Sequence, residues 1–133
     1  MNIMKCRHDN GEKAGKGAMS EKIKQFNAYR SKMNDRILAA EHTGIKRFFN
    51  LDTAAYQDGA LPGKTKEMLG LCASTVLRCN DCISYHVIQC KKLGVTQAEF
   101  DEIMNISLVV GGSITIPHIR KAYEMWDEGE ADS

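Results

Sequence analysis

The chain has 133 residues, with 18 basic and 17 acidic side chains and 43% hydrophobic residues. This is the size of one domain with a real hydrophobic core, and the net charge of +1 gives no electrostatic attraction to nucleic acid or to a charged membrane surface. Small molecules and other proteins are therefore the more favoured partners. No apolar run approaches the roughly 20 residues of a transmembrane helix, so we expect a soluble protein.

The cysteine content points to a reducing compartment. Five cysteines are an odd number, and a single pair of them has motif spacing. No secretory apolar segment precedes them, so a framework of structural disulfides is not expected. We therefore expect a cytoplasmic protein.

The first part of the chain differs in character from the rest. Residues 1–18 are polar, contain glycine and lack a hydrophobic period. Such a segment is typical of a disordered extension. We expect residues 19–133 to form a single helical domain.

Hydrophobic periodicity and helix-end residues predict an all-α fold. Ser20 is a good N-cap, Gly44 is expected to interrupt the first helix, Gly94 fits the C′ position of a helix, and residues 96–99 form a capping box. No segment shows the alternation of a strand. The predicted helices run from Ser20 to about Thr43, from Ile45 to about Asp58, from Lys64 to Arg78, through the cysteine motif to Gly94, from Thr96 to Gly111, and from about Thr115 to Asp127.

The segment Cys-Asn-Asp-Cys-Ile-Ser-Tyr-His, from Cys79 to His86, carries the clearest chemistry. Residues three and seven apart share one face of a helix, so Cys79, Cys82 and His86 can meet without help from tertiary structure. Asn80 or Asp81 is expected to cap a helix that begins here. A helix N-terminus lowers the pKa of a thiol, and the imidazole can carry its proton. The motif therefore predicts a redox site.

Glu67 stands twelve residues before Cys79, and the pattern Glu-x11-CxxCxxxH resembles the alkylhydroperoxidase D-like branch of the carboxymuconolactone decarboxylase family. The resemblance covers most of residues 45–128. It includes the approach KTKEMLGLCASTVLRCNDCISYH and the downstream segment LVVGGSITIPHIRKA. It is therefore far more specific than a CxxC pair alone.

The resemblance implies a helical fold assembled into homotrimers or homohexamers, and an antioxidant cycle in which two cysteines reduce a peroxide. Cys82 would be the thiol that is oxidised, Cys79 its resolving partner, and Glu67 with His86 the proton relay. An external dithiol or disulfide reductase would regenerate the pair, with no organic cofactor and no metal. The best-known peroxidase branch has a histidine directly before the second cysteine, where this chain has Asp81.

The position of Glu67 sets a geometric condition on this interpretation. A straight helix would leave its carboxylate about 18 Å of rise from Cys79. The chain must therefore bend near Arg78 for Glu67 to join the site.

Other interpretations of the motif remain open. Cys79, Cys82 and His86 could form a partial zinc site completed by His118, although CxxC zinc ligands usually lie on tight knuckles with a second pair elsewhere. Lactone decarboxylation, the reaction of the family's other namesake, leaves the cysteine pair unexplained. A redox-sensing oligomer that is not an enzyme is a third interpretation.

The remaining candidates have simpler expected roles. Cys72 lies on an apolar stripe and is expected in the core, and Cys90 follows His86 by one turn and can pack behind the site. His118 is expected to be a surface or interface histidine, with a replacement relay role as the alternative. Phe48, Phe49, Tyr85 and Trp126 are expected in the core or at subunit contacts.

Overall fold

The computed structural model describes residues 20–129, and between these two positions the chain contains helices and no strand. The predicted all-α fold class is confirmed. The predicted extension at residues 1–18 lies outside the described residues. Within the described part, no helix is both long enough and apolar enough to cross a membrane. The helices are α1 Glu21–Leu38, α2 Thr43–Ala55, α3 Gly63–Val76, α4 Asn80–Lys92, α5 Gln97–Gly111 and α6 Ile116–Glu128, with a 3-10 turn at Ser113–Thr115.

The described chain divides into two compact units. One holds α1 and α2, within residues 20–55, together with residues 128–129. The other spans residues 56–127 and holds α3, α4, α5 and nearly all of α6. All residues of the predicted site belong to this second unit, while the single domain over residues 19–133 stays a prediction.

Two helix starts have the predicted caps. The Ser20 hydroxyl accepts the Ile23 N–H at 3.3 Å and caps α1. At the start of α5, Thr96 Oγ1 accepts the Glu99 N–H at 3.2 Å, and the Glu99 carboxylate accepts the Thr96 N–H at 2.8 Å. This reciprocal pair is the predicted capping box, and it satisfies two amide groups that have no partner within the helix.

The break between the first two helices comes earlier than predicted. α1 ends at Leu38 and not at Thr43, because the chain turns at Glu41, whose backbone is left-handed with φ of 55°. Gly44 is the second residue of α2 and does not interrupt a helix. Glycine destabilises a helix mainly in its interior, so it can stand in this first turn without ending the helix.

The turn between α3 and α4 is a Schellman motif. The N–H of Arg78 donates to Thr75 O at 3.0 Å, and the N–H of Cys79 donates to Ser74 O at 3.1 Å. Arg78 occupies the left-handed position of this motif with φ of 62°. α3 therefore ends at Val76, slightly before the predicted end, and the predicted bend near Arg78 is confirmed.

The same motif ends α4. Gly94 has φ of 81°, its N–H donates to Lys91 O at 3.1 Å, and the N–H of Val95 donates to Cys90 O at 3.0 Å. The predicted C′ role of Gly94 is confirmed. Glycine adopts this conformation at little steric cost.

The core of the second unit forms where α3 packs against α4 and α5. Phe100 stacks on Trp126 with ring centroids 4.3 Å apart, and Trp126 Nε1 donates to Gln97 Oε1 at 2.7 Å. The buried indole thus has a partner for its N–H and fixes α6 against α5. The fully or nearly fully buried side chains include Leu71, Ile83, Val87, Cys90, Phe100, Ser107, Thr115 and Trp126.

The left-handed backbone of Arg78 generates a stability prediction. Because an L-residue in this region costs about 1 to 2 kcal/mol and glycine recovers most of that, we expect Arg78→Gly to raise the free energy of unfolding by about 1 kcal/mol. Urea denaturation measures it. The control is Leu77→Gly, since Leu77 has φ of −74° and gains nothing from glycine. Equal destabilisation by both variants would contradict the prediction.

Candidate active site

The centre of the site is a contact between Glu67 on α3 and His86 on α4. Glu67 Oε2 lies 2.7 Å from His86 Nδ1. Both residues are buried, with 5% and 1% of their surface exposed. The bend at Arg78 lets α4 pack on α3, so that two side chains 19 residues apart meet inside the protein.

This contact fixes the chemistry of the imidazole. A carboxylate oxygen only accepts, so the hydrogen at Nδ1 belongs to the ring and Nε2 is left as the nitrogen that can exchange a proton. Removing one member of a buried pair leaves the other without compensation and typically costs about 3 to 5 kcal/mol. The pair therefore contributes to the stability of the fold and also determines which nitrogen of His86 can exchange a proton.

Two aromatic rings enclose the imidazole. The Tyr56 ring lies 5.6 Å from it at 38°, and the Tyr85 ring lies 5.4 Å away, edge-on at 77°. Tyr85 is 4% exposed, as expected of a core residue. The sequence argument missed Tyr56, which lies before the segment that carries the family pattern.

The two motif cysteines lie at disulfide distance, and their sulfur atoms are joined. Their Cα atoms are 5.3 Å apart, within the range that a disulfide requires. Cys79 itself is the N-cap of α4, because its Sγ accepts the N–H of Cys82 at 3.3 Å. The prediction that Asn80 or Asp81 caps this helix was wrong. Cys79 has the extended backbone of a cap, whereas Asn80 is already the first helical residue.

The two thiols differ in exposure. Cys82 is 4% exposed and lies one helical turn before the buried His86, on the same face of α4. Cys79 is partly exposed at the helix start. Cys82 thus lies on the face of α4 that carries His86, and Cys79 lies at the partly exposed start of the helix.

His118 reaches the motif from α6. Its Nδ1 lies 2.7 Å from Oδ1 of Asn80, the residue after Cys79, while Asp81 is exposed in the first turn of α4. His118 therefore contacts the cysteine motif through the side chain of Asn80. Within residues 20–129, no group of three or more His, Cys, Asp or Glu side chains is arranged to hold a metal ion.

The other two described cysteines lie outside this arrangement. Cys90 is fully buried, and its burial, together with the nearby negative charge of Glu67, raises the pKa of its thiol to about 12. Such a thiol is unreactive at neutral pH. Cys72 is only partly buried, which corrects its predicted core position. It lines a cavity of about 290 Å³ between α3 and α5, to which neither His86 nor the cysteine pair contributes.

Known proteins share the fold and part of the sequence of this chain. The model of the carboxymuconolactone decarboxylase family matches residues 45–125. A crystal structure from Thermotoga maritima, of a protein of this family with a possible involvement in antioxidative response, is 48% identical, covers 78% of this chain and 88% of its own, and has a TM-score of 0.75.

Two further relatives have a lower sequence identity to this chain. The apo structure of a family member from Legionella pneumophila is 26% identical, covers 82% of this chain and 97% of its own, and has a TM-score of 0.74. An uncharacterized protein of Cupriavidus necator is 27% identical over 88 residues, which are 66% of this chain and 78% of that protein. The chain belongs to the carboxymuconolactone decarboxylase family.

Proposed function

We propose that the protein is a thiol-dependent peroxidase, an antioxidant disulfide oxidoreductase that acts through Cys79 and Cys82. One observation carries the proposal: a buried Glu67–His86 pair, with a 2.7 Å contact, lies one helical turn after Cys82, and Cys82 is at disulfide distance from Cys79. The antioxidative role suggested for the Thermotoga maritima relative supports the same class of reaction.

The first step is attack by Cys82 on a hydroperoxide. His86 accepts the proton of the Cys82 thiol, the thiolate bonds to the peroxide oxygen that carries hydrogen, the O–O bond breaks, and the departing alkoxide takes the proton from His86 to leave as an alcohol. Glu67 stabilises the ring while it carries that proton, because its carboxylate holds the N–H at Nδ1. Cys82 becomes a sulfenic acid.

The second step forms the disulfide. The Cys79 thiol gives up its proton and attacks Sγ of Cys82, the S–O bond breaks, and the hydroxyl group takes up a proton in place of the one released and leaves as water. Cys79 suits this step because the Cys82 N–H points at its sulfur and the start of α4 stabilises negative charge there. In total, two thiols and one hydroperoxide give one disulfide, one alcohol and one water.

An external dithiol completes the cycle. The partly exposed Cys79 is the sulfur that a reductant can reach, so its attack forms a mixed disulfide and releases Cys82 as a thiolate beside His86. The second thiol of the reductant then frees Cys79. A small dithiol or a disulfide reductase of the reducing cytoplasm supplies the two electrons, and no organic cofactor takes part.

We also propose that the protein acts as a homotrimer or homohexamer. Several large apolar side chains of α5 are exposed, among them Ile106 at 54%, Val109 at 74% and Val110 at 68%. Ile106 lines the cavity between α3 and α5 together with Leu69, which is 55% exposed. Exposed apolar side chains in this number favour contact with another protein, and copies of this chain are the simplest partner.

The decisive experiment is steady-state consumption of an organic hydroperoxide with excess dithiothreitol. We expect turnover by the wild type, none by Cys82→Ser, and in Cys79→Ser a slower reaction that leaves a sulfenic acid on Cys82 for dimedone to trap. Cys90→Ser is the matched control and should retain turnover, since Cys90 is buried and protonated.

Other outcomes separate the alternatives. A redox sensor would be oxidised once without turnover, and a lactone decarboxylase would not consume peroxide. Unchanged turnover in Cys82→Ser would remove the thiol mechanism, and a sulfenic acid trapped on Cys79 of that variant would reverse the two roles.

The relay predicts a large effect of Glu67→Gln on catalysis. The amide oxygen can still accept the His86 N–H, but the charge that stabilises the protonated ring is lost, so we expect kcat to fall about 100-fold or more with little change in KM. Stopped-flow oxidation of the reduced protein measures the step. Glu21→Gln, an exposed change of the same kind on α1, is the control. Equal rates in the two variants would exclude Glu67 from the relay.

The assembly predicts a molar mass that is a multiple of the 14.8 kDa chain. Light scattering at micromolar concentration should give three or six chains, and Val109→Glu should lower the mass because it places a charge in the apolar face of α5. Leu93→Glu, at the end of α4 and 46% exposed, is the control. A wild-type mass of one chain would contradict the proposal.

A further inference from the structure

We propose that Gly70 is a positioning residue of the relay. It lies in the interior of α3, three residues after Glu67 and thus on the same helix face. Glycine inside a helix is less favourable than alanine by about 1 kcal/mol, so a helix that keeps it there has a local reason. That reason is the ring of His86. The structural part of this inference stands on geometry, and its catalytic part rests on the proposed peroxidase function.

The imidazole occupies the space in which a side chain at position 70 would begin. A Cβ atom built on Gly70 would lie 2.6 Å from Cε1 of His86 and 2.9 Å from both ring nitrogens. Contacts below 3.0 Å are essentially never made by real Cβ atoms. Any residue other than glycine would therefore displace either the ring or the backbone of α3.

The ring has little freedom to move aside. His86 is 1% exposed, and the Tyr56 and Tyr85 rings lie 5.6 and 5.4 Å from it, centroid to centroid. A shift away from position 70 also changes the 2.7 Å contact between Nδ1 and Glu67. Because general acid–base catalysis depends on distances of this size, a displacement of about 1 Å can cost about 100-fold in rate.

Gly70 thus has a specific role. Glu67 orients the imidazole by a hydrogen bond, while Gly70 lets the ring approach the backbone of α3 closely enough to make that bond. Gly70 touches no reacting atom, so it acts through His86.

The first test compares Gly70→Ala with wild type. We expect kcat/KM for the hydroperoxide to fall about 100-fold, the pH profile to shift, and the Nδ1 and Nε2 signals of His86 in ¹H–¹⁵N spectra to move as the contact with Glu67 changes. Gly59→Ala is the control, because the nearest atom to its Cβ would be the end of the Lys66 side chain at 3.6 Å. Unchanged His86 signals in Gly70→Ala would overturn the proposal.

The second test repeats the substitution in a Glu67→Gln/His86→Ala background, which removes both members of the buried pair. There the added methyl group meets no ring, so Gly70→Ala should raise the thermal midpoint through its higher helix propensity, whereas in the wild-type background it should lower it. A variant that unfolds in the wild-type background and folds in the other supports the proposal. The same loss in both backgrounds would overturn it.

The two tests also separate this inference from the peroxidase proposal. If the wild type shows no turnover but the spectra and the two midpoints behave as expected, the peroxidase proposal fails and the role of Gly70 in holding His86 stands. If the wild type turns over peroxide and Gly70→Ala changes neither the spectra nor the rate, the role of Gly70 fails alone.

Discussion

The buried contact between Glu67 and His86 is the interaction on which the rest of the site depends. A carboxylate inside a protein core needs a partner, and here the partner comes from the next helix. The contact requires that the chain turn between the two helices and that the helices approach closely. Arg78 meets the first requirement with a left-handed backbone, and Gly70 meets the second by lacking a side chain.

Cys79 contributes both to the turn between α3 and α4 and to the proposed reaction. Its N–H donates to Ser74 O and completes the turn that ends α3, while its sulfur accepts the Cys82 N–H and begins α4. The sulfur is therefore held at a helix N-terminus, where negative charge is favoured. Because the backbone on both sides of Cys79 is fixed by hydrogen bonds, the two cysteines stay at disulfide distance, and no flexible loop has to become ordered for them to meet.

Much of this could be predicted from the sequence because it follows local rules. Helical periodicity gave the all-α fold, the capping box depends on residues three apart, and the bend near Arg78 followed from the length of a straight helix. The family pattern added the pairing of Glu67 with His86, which spacing alone does not give.

The features that were missed depend on contacts between segments or on competition among caps. Cys79 caps α4 although Asn80 and Asp81 are the usual capping residues, because the preceding turn leaves Cys79 in the extended backbone that a cap needs. The roles of Tyr56 and Gly70 can be recognised only from the structure, which places His86 beside both of them. A glycine inside a predicted helix was the available signal for the latter.

The stoichiometry of a single turnover without reductant tests the proposed reaction of the Cys79–Cys82 pair most directly. Fully reduced protein should consume one equivalent of hydroperoxide, lose two free thiols, and show by peptide mapping a new linkage between Cys79 and Cys82 alone. A second equivalent should be consumed only after a dithiol is added. Peroxide left unconsumed, or oxidation found on Cys72 or Cys90 in place of the motif pair, would contradict the thiol mechanism.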